Sequence, residues 1–141
     1  VIQIHYIDVE VPGINSELLV LWLKESVVRE GKSLGEINLV FCDDEHLLGM
    51  NRAHLDHDYY TDIITFDYTE DELISGDLYI SIDRVLDNAG LLNEPADVEL
   101  RRVCVHGILH LCGYKDKNSE EEAKMRSREN FHLDKYVSRE T

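Results

Sequence analysis

The spacing of apolar positions along the chain changes several times, and each change marks an element. Ile2, Ile4 and Tyr6 alternate with Gln3 and His5, which predicts a strand over 2–7 with one buried face. From Asn15 or Ser16 the spacing lengthens. Leu18, Leu19, Trp22, Leu23 and Val27 recur every three or four residues, a helical stripe that Gly31 ends. The run Glu36–Cys42 (EINLVFC) reads as a second strand, and Asp43 or Asp44 can cap a second helix carrying Leu47, Leu48 and Met50. Two more strands are expected at Ile63–Phe66 and Leu78–Ile82, with Gly76 in the link between them. A short helix should follow over Asp83–Leu92. Pro95, which like Pro12 sits just before a helical pattern, opens a longer helix through Val98, Leu100, Val103, Ile108 and Leu111, ending at Gly113. Asn118 or Ser119 caps a last helix, with Glu122 closing a capping box from Ser119.

The resulting order is βαβαββααα. Helices and strands alternate early and helices gather late, which predicts an α+β fold with a small four-stranded sheet and about five helices. The 141 residues contain no repeat, low-complexity tract or linker, so a single domain over 1–141 is the expectation.

Composition and charge narrow the function. A hydrophobic share of 43% is enough for a packed core, and no apolar run is long enough to span a bilayer. The first residues mix His5, Asp8 and Glu10 among apolar ones, unlike a signal peptide, so a cytoplasmic location is expected. Cys42, Cys104 and Cys112 form no CxxC pair, which excludes a disulfide framework and a zinc ribbon. The net charge of −15 is uneven: from Arg101 onward nine Lys and Arg face seven Asp and Glu, and the acid lies before it. That field repels nucleic acid at long range, so an RNA ligand would need a local basic face. Lys115, Lys117, Lys124, Arg126 and Arg128 are the candidates for one.

The chemistry concentrates in Val105–Asp116. His106 and His110 lie four apart on the predicted helix, so both imidazoles point the same way and can bind one cation. Gly113 stops the helix, and the turn can bring Asp116 back as a third ligand. Three protein ligands leave the fourth tetrahedral position of a zinc ion to water, whose pKa the ion brings to about 7. Cys104 and Cys112 lie about 200° round the helix from the pair and are expected to face the core. A second polar cluster, His54, Asp56, His57 and Asp58, reads as an exposed turn, and His5, His46 and His132 read as surface residues. The peptidase pattern HExxH needs a Glu after its first His as general base; here that position is Gly107. A phosphodiester substrate remains open to metal-assisted hydrolysis.

The segment His106-Gly-Ile-Leu-His110-Leu-Cys-Gly113-Tyr114 resembles the HGxLHLxGY signature of the YbeY family, bacterial endoribonucleases of ribosomal RNA maturation. Asn51 with Thr61-Asp62-Ile63-Ile64-Thr65-Phe66 resembles the family's LN…TDVLSF stretch, and Gly76-Asp77-Leu78-Tyr79-Ile80-Ser81 its GDIxIS strand; Met125 and Glu129 stand at the family's spacing beyond the third ligand position. The resemblance implies an α+β domain with a small mixed sheet and a metalloprotease-like (zincin-like) site holding one zinc ion. It also implies cleavage of single-stranded RNA, maturation of the 3′ end of small-subunit ribosomal RNA, and a part in ribosome quality control. The expected partners are therefore RNA and the ribosome or its proteins.

Two departures from the family pattern matter. The third ligand is usually His, where this chain has Asp116; an anionic ligand would make the bound water less acidic, so weaker or more pH-dependent catalysis is expected, which an Asp116→His comparison measures. An Arg usual between the LN and TD segments is Leu55 here, and Arg52, about one helical turn earlier, becomes the candidate catalytic phosphate contact. The competing readings are a non-catalytic ribosome-assembly factor with a structural metal, and a peptidase, which Gly107 disfavours. Met125 reads either as a residue packed beneath the ligands or as ordinary core.

Overall fold

The computed structural model describes residues 1–11, 13–54 and 59–140, the last four of these by backbone alone. Strand β1 is Ile2–Tyr6, helix α1 Ser16–Arg29, strand β2 Ser33–Cys42, helix α2 Asp44–His54, strands β3 Ile63–Asp67 and β4 Leu73–Ser81. Helices α3 Ile82–Leu92, α4 Ala96–Leu111 and α5 Ser119–Glu140 complete the chain. The expected order and the α+β class are both observed.

The four strands run in the order β1-β2-β4-β3. β1 pairs with β2 and β2 with β4 in parallel, whereas β3 and β4 form an antiparallel hairpin, so the sheet is mixed. One face carries the main core: Ile37, Leu39, Phe41, Leu78 and Ile80 meet Trp22 and Leu23 of α1 and Val103 and Ile108 of α4. On the other face Cys42 and Ile64 pack with Leu47 of α2.

Local chemistry sets the helix ends. The Asn15 side chain accepts the Leu18 N–H at 3.1 Å, and Asp43 accepts the His46 N–H at 2.8 Å, so both are N-caps. Asn118, not Ser119, caps α5, accepting the Glu121 N–H at 2.8 Å. The expected Ser119–Glu122 box is replaced by Glu121, whose carboxylate takes the Lys117 N–H.

The largest difference from the sequence reading is β4. It starts at Leu73, so Gly76 lies inside the strand, paired with Ile37 and Asp67, and Ser81 ends it by capping α3. The cause is close packing. A Cβ on Gly76 would sit 2.6 Å from the Phe66 carbonyl and 2.9 Å from Leu111, so this glycine admits the end of α4 to the sheet. Gly107 does the same from the helix side, where a Cβ would meet Ile63 at 2.7 Å and Leu78 at 3.0 Å. These two glycines fix how closely α4 approaches β3 and β4, and hence where its histidines stand.

Candidate metal centre

Helix α4 is buried on nearly every side, as befits the central helix of the fold. Along its last three turns the less buried positions are Arg102, His106 and His110, spaced four apart, and they form one polar flank. At its end Gly113 adopts φ +106°, Gly113 N–H returns to the His110 carbonyl at 3.0 Å, and Tyr114 N–H to that of Leu109 at 3.0 Å. This is a Schellman turn, and it folds the following residues back over the flank. Asp116 is brought there as expected: its Oδ2 lies 3.1 Å from His110 Nε2 and 3.3 Å from His106 Nε2, and the two nitrogens are 3.0 Å apart.

The protonation of the rings decides what this triangle can do. His110 Nδ1 faces the Tyr114 carbonyl at 3.0 Å, and His106 Nδ1 faces Glu129 Oε2 at 2.7 Å. Both partners can only accept, so both Nδ1 atoms carry hydrogen. In the neutral rings both Nε2 atoms are then bare. Two lone pairs and a carboxylate oxygen thus converge with no proton among them, an arrangement that a cation relieves. Ligands bound to tetrahedral zinc stand about 3.3–3.5 Å apart, close to the separations here. The donor set therefore fits the ion. Among the described residues this is the one group of three His, Cys, Asp or Glu side chains so disposed. Side-chain exposures of 23%, 27% and 39% for His106, His110 and Asp116 leave the site open to solvent. Burial pulls the His106 pKa down, but the hydrogen bond and charge of Glu129, with Asp116 and Asp62, hold it above its ordinary value. Protons and metal therefore compete for this ring.

Glu129 was the least legible part of the site. It is buried on α5, orients His106, and accepts from Arg102 at 3.3 Å. The available signal was a carboxylate within the apolar stripe Met125, Leu133 and Tyr136, where a charge must have a partner. Met125 is 2% exposed and belongs to the core, but it also lines the cleft described next. His132 corrects the sequence reading. It is fully buried, because the inner face of α5 delivers it to Glu30. His5 and His46 are exposed as expected, Cys104 is fully buried and Cys112 partly so.

A cleft of about 470 Å³ adjoins the triangle, lined by Asp62, Glu99, Arg102, His106, Asp116 and Arg126, among others. Arg52 is not among its lining residues; it lies on the exposed side of α2, where its charge reaches Tyr60. His54 is exposed, and Leu55, Asp56, His57 and Asp58, together with Pro12, lie outside the described residues. Of the proposed basic face, Lys115, Lys117, Lys124 and Arg126 are exposed, whereas Arg128 is committed to Glu30.

Glu99 gives a pH prediction. Burial pushes its carboxyl up to about 7; Arg102 and Arg126 oppose the rise, and Glu94 and Asp62 add to it. Between the ordinary carboxylate value and that pKa, the folded state holds a proton that the unfolded chain has released. Stability contributed by this group is therefore lost as pH rises through that window. Glu99→Gln should raise the urea midpoint relative to wild type at pH 8 and leave it unchanged at pH 4; equal midpoint differences at both pH values would refute this.

The chain is similar to known proteins over most of its length. The family profile described as Endoribonuclease YbeY matches residues 7–137. A Porphyromonas gingivalis protein named Endoribonuclease YbeY is 51% identical over 121 residues, covering 86% of this chain and 80% of the relative. One of the same name from Cytophaga hutchinsonii is 54% identical over 113 residues, 79% of each chain. The solution structure of TM1509 from Thermotoga maritima superposes with a TM-score of 0.69 at 29% identity, covering 99% of this chain and 91% of that one.

Proposed function

The chain belongs to the YbeY endoribonuclease family, and from that premise we propose that residues 1–141 form one metal-dependent endoribonuclease domain. Its substrate would be single-stranded RNA, in the maturation of small-subunit ribosomal RNA and ribosome quality control, with the ribosome as partner and the cytoplasm as its place. No helix among the described residues is long and apolar enough to cross a membrane.

The observation that carries this reading is the triangle of bare acceptors at 3.0–3.3 Å, each imidazole already committed through Nδ1. His106, His110 and Asp116 would hold one zinc ion. Bound there, zinc supplies a Lewis acid for the phosphodiester and lowers the pKa of water. The chain's own residues do the rest. Glu129 and the Tyr114 carbonyl hold the rings in the ligand tautomer. No fourth protein ligand joins the group among the described residues, which leaves one side for substrate. Arg126, with a side chain 54% exposed at the cleft and 3.8 Å from Glu129, is a second candidate phosphate contact beside Arg52, the candidate from sequence.

Metal-stripped protein should leave a single-stranded RNA oligonucleotide intact and cut it when zinc is restored. Arg126 also lies 3.8 Å from Glu129, so Arg126→Ala and Arg52→Ala are assayed at saturating zinc, where the residue that contacts substrate loses activity. Zinc uptake without any cleavage would leave the assembly-factor reading in its place.

A further inference from the structure

A buried acid lies outside the metal triangle yet connects to it. Glu30 follows α1 as its C-cap, and its side chain is only 6% exposed. Its Oε2 accepts from Arg128 at 2.6 and 3.1 Å and from His132 Nε2 at 2.6 Å, and its Oε1 accepts the Tyr114 hydroxyl at 2.7 Å. These donors come from α5 and from the loop between α4 and α5. The carboxyl is held below its usual range: burial opposes this, and Arg128, Tyr114 and His132 together outweigh it.

Stability alone is a poor explanation for this cluster. Removing a carboxylate from water is expensive, and apolar replacements of buried ion pairs are often neutral or stabilising. The cluster does, however, grip Tyr114. That residue's carbonyl is the acceptor that fixes His110 Nδ1 at 3.0 Å, and two residues on the same loop carries Asp116 to His110. The chain of contacts runs from the end of α1 through the Glu30 carboxylate and the Tyr114 side chain to Tyr114 backbone, and from there to one ligand directly and another through the loop.

We propose that Glu30 is a positioning residue for the metal centre, acting through the Tyr114 hydroxyl to hold the loop that orients His110 and supplies Asp116. This rests on the metal-site reading above. Partners outside the ligand shell are typically worth about 10–100-fold in metal affinity. Tyr114→Phe removes one hydroxyl and keeps the ring and the carbonyl, so it belongs at the low end of that range.

The test is a zinc titration against a chromophoric chelator, with cobalt absorption as a second readout. Tyr114→Phe should weaken zinc binding by about ten-fold and shift the cobalt bands. Ile37→Val, in the core on β2, serves as the control for general destabilisation. It should bind zinc as wild type does. Glu30→Gln should act in the same direction as Tyr114→Phe and stands in if that variant fails to fold. Binding by Tyr114→Phe within about two-fold of wild type, or an equal loss in Ile37→Val, overturns the positioning role alone. Wild-type protein that takes up no zinc overturns the metal-site reading and this inference with it.

Discussion

Replacing His110 with Ala should lower zinc affinity by more than about 100-fold, beyond the range typical of an outer partner, and abolish metal-dependent RNA cleavage. The fold should survive. His110 is partly exposed, and among the described residues the one hydrogen bond it makes away from the triangle is to the Tyr114 carbonyl. Losing a hydrogen bond of that kind costs about 1 kcal/mol. Removing one of three converging acceptors offsets part of that cost in the metal-free protein. The metal-free variant should therefore unfold within about 1 kcal/mol of metal-free wild type, while zinc, expected to stabilise the wild type by mass action, should no longer raise its Tm. An Ala variant that still gains stability from zinc and still cuts RNA would remove His110 from the site.

The second large effect concerns the missing peptidase base. Gly107→Glu would complete an HExxH pattern, and it should cost at least about 3 kcal/mol, leaving little folded protein. The helix would gain up to about 1 kcal/mol from replacing glycine. Against that, a Cβ would enter to 2.7 Å from Ile63 and 3.0 Å from Leu78, and the carboxylate would follow it toward an apolar sheet face. Overpacking and the buried charge win. The milder Gly107→Ala isolates the packing part and should lose about 1–3 kcal/mol in urea unfolding. Stability within 1 kcal/mol of wild type for the Glu variant would show that the helix can move away from the sheet. The tips of the Ile63 and Leu78 side chains fill the space beside the first histidine, so a general base there would have to displace them, and this tells against the peptidase reading.

What was legible in the sequence follows from the range of each interaction. His106 and His110 share a face because helical period is local, and Gly113 announces the reversal because its φ of +106° suits glycine. Asp116 needed only that turn to arrive. Gly76 was misplaced because it carries the usual signal of a link, while the reason for it lies in Leu111, far along the chain. The role of Glu129, whose position the family spacing marks, and the burial of His132 are not legible for the same reason: each depends on a partner, His106 or Glu30, that only tertiary packing supplies. Arg52 follows from its distance along α2 to a family position, whereas the cleft is lined by α4, α5, Asp116 of the loop between them, and Asp62 just before β3.

One divalent ion is expected among His106, His110 and Asp116. Anomalous diffraction at the zinc edge, from crystals grown with zinc, tests this most directly. One strong peak is expected within bonding distance, about 2.0–2.2 Å, of both Nε2 atoms and an Asp116 oxygen. A peak on other side chains, or none at this triangle in zinc-loaded crystals, would contradict it.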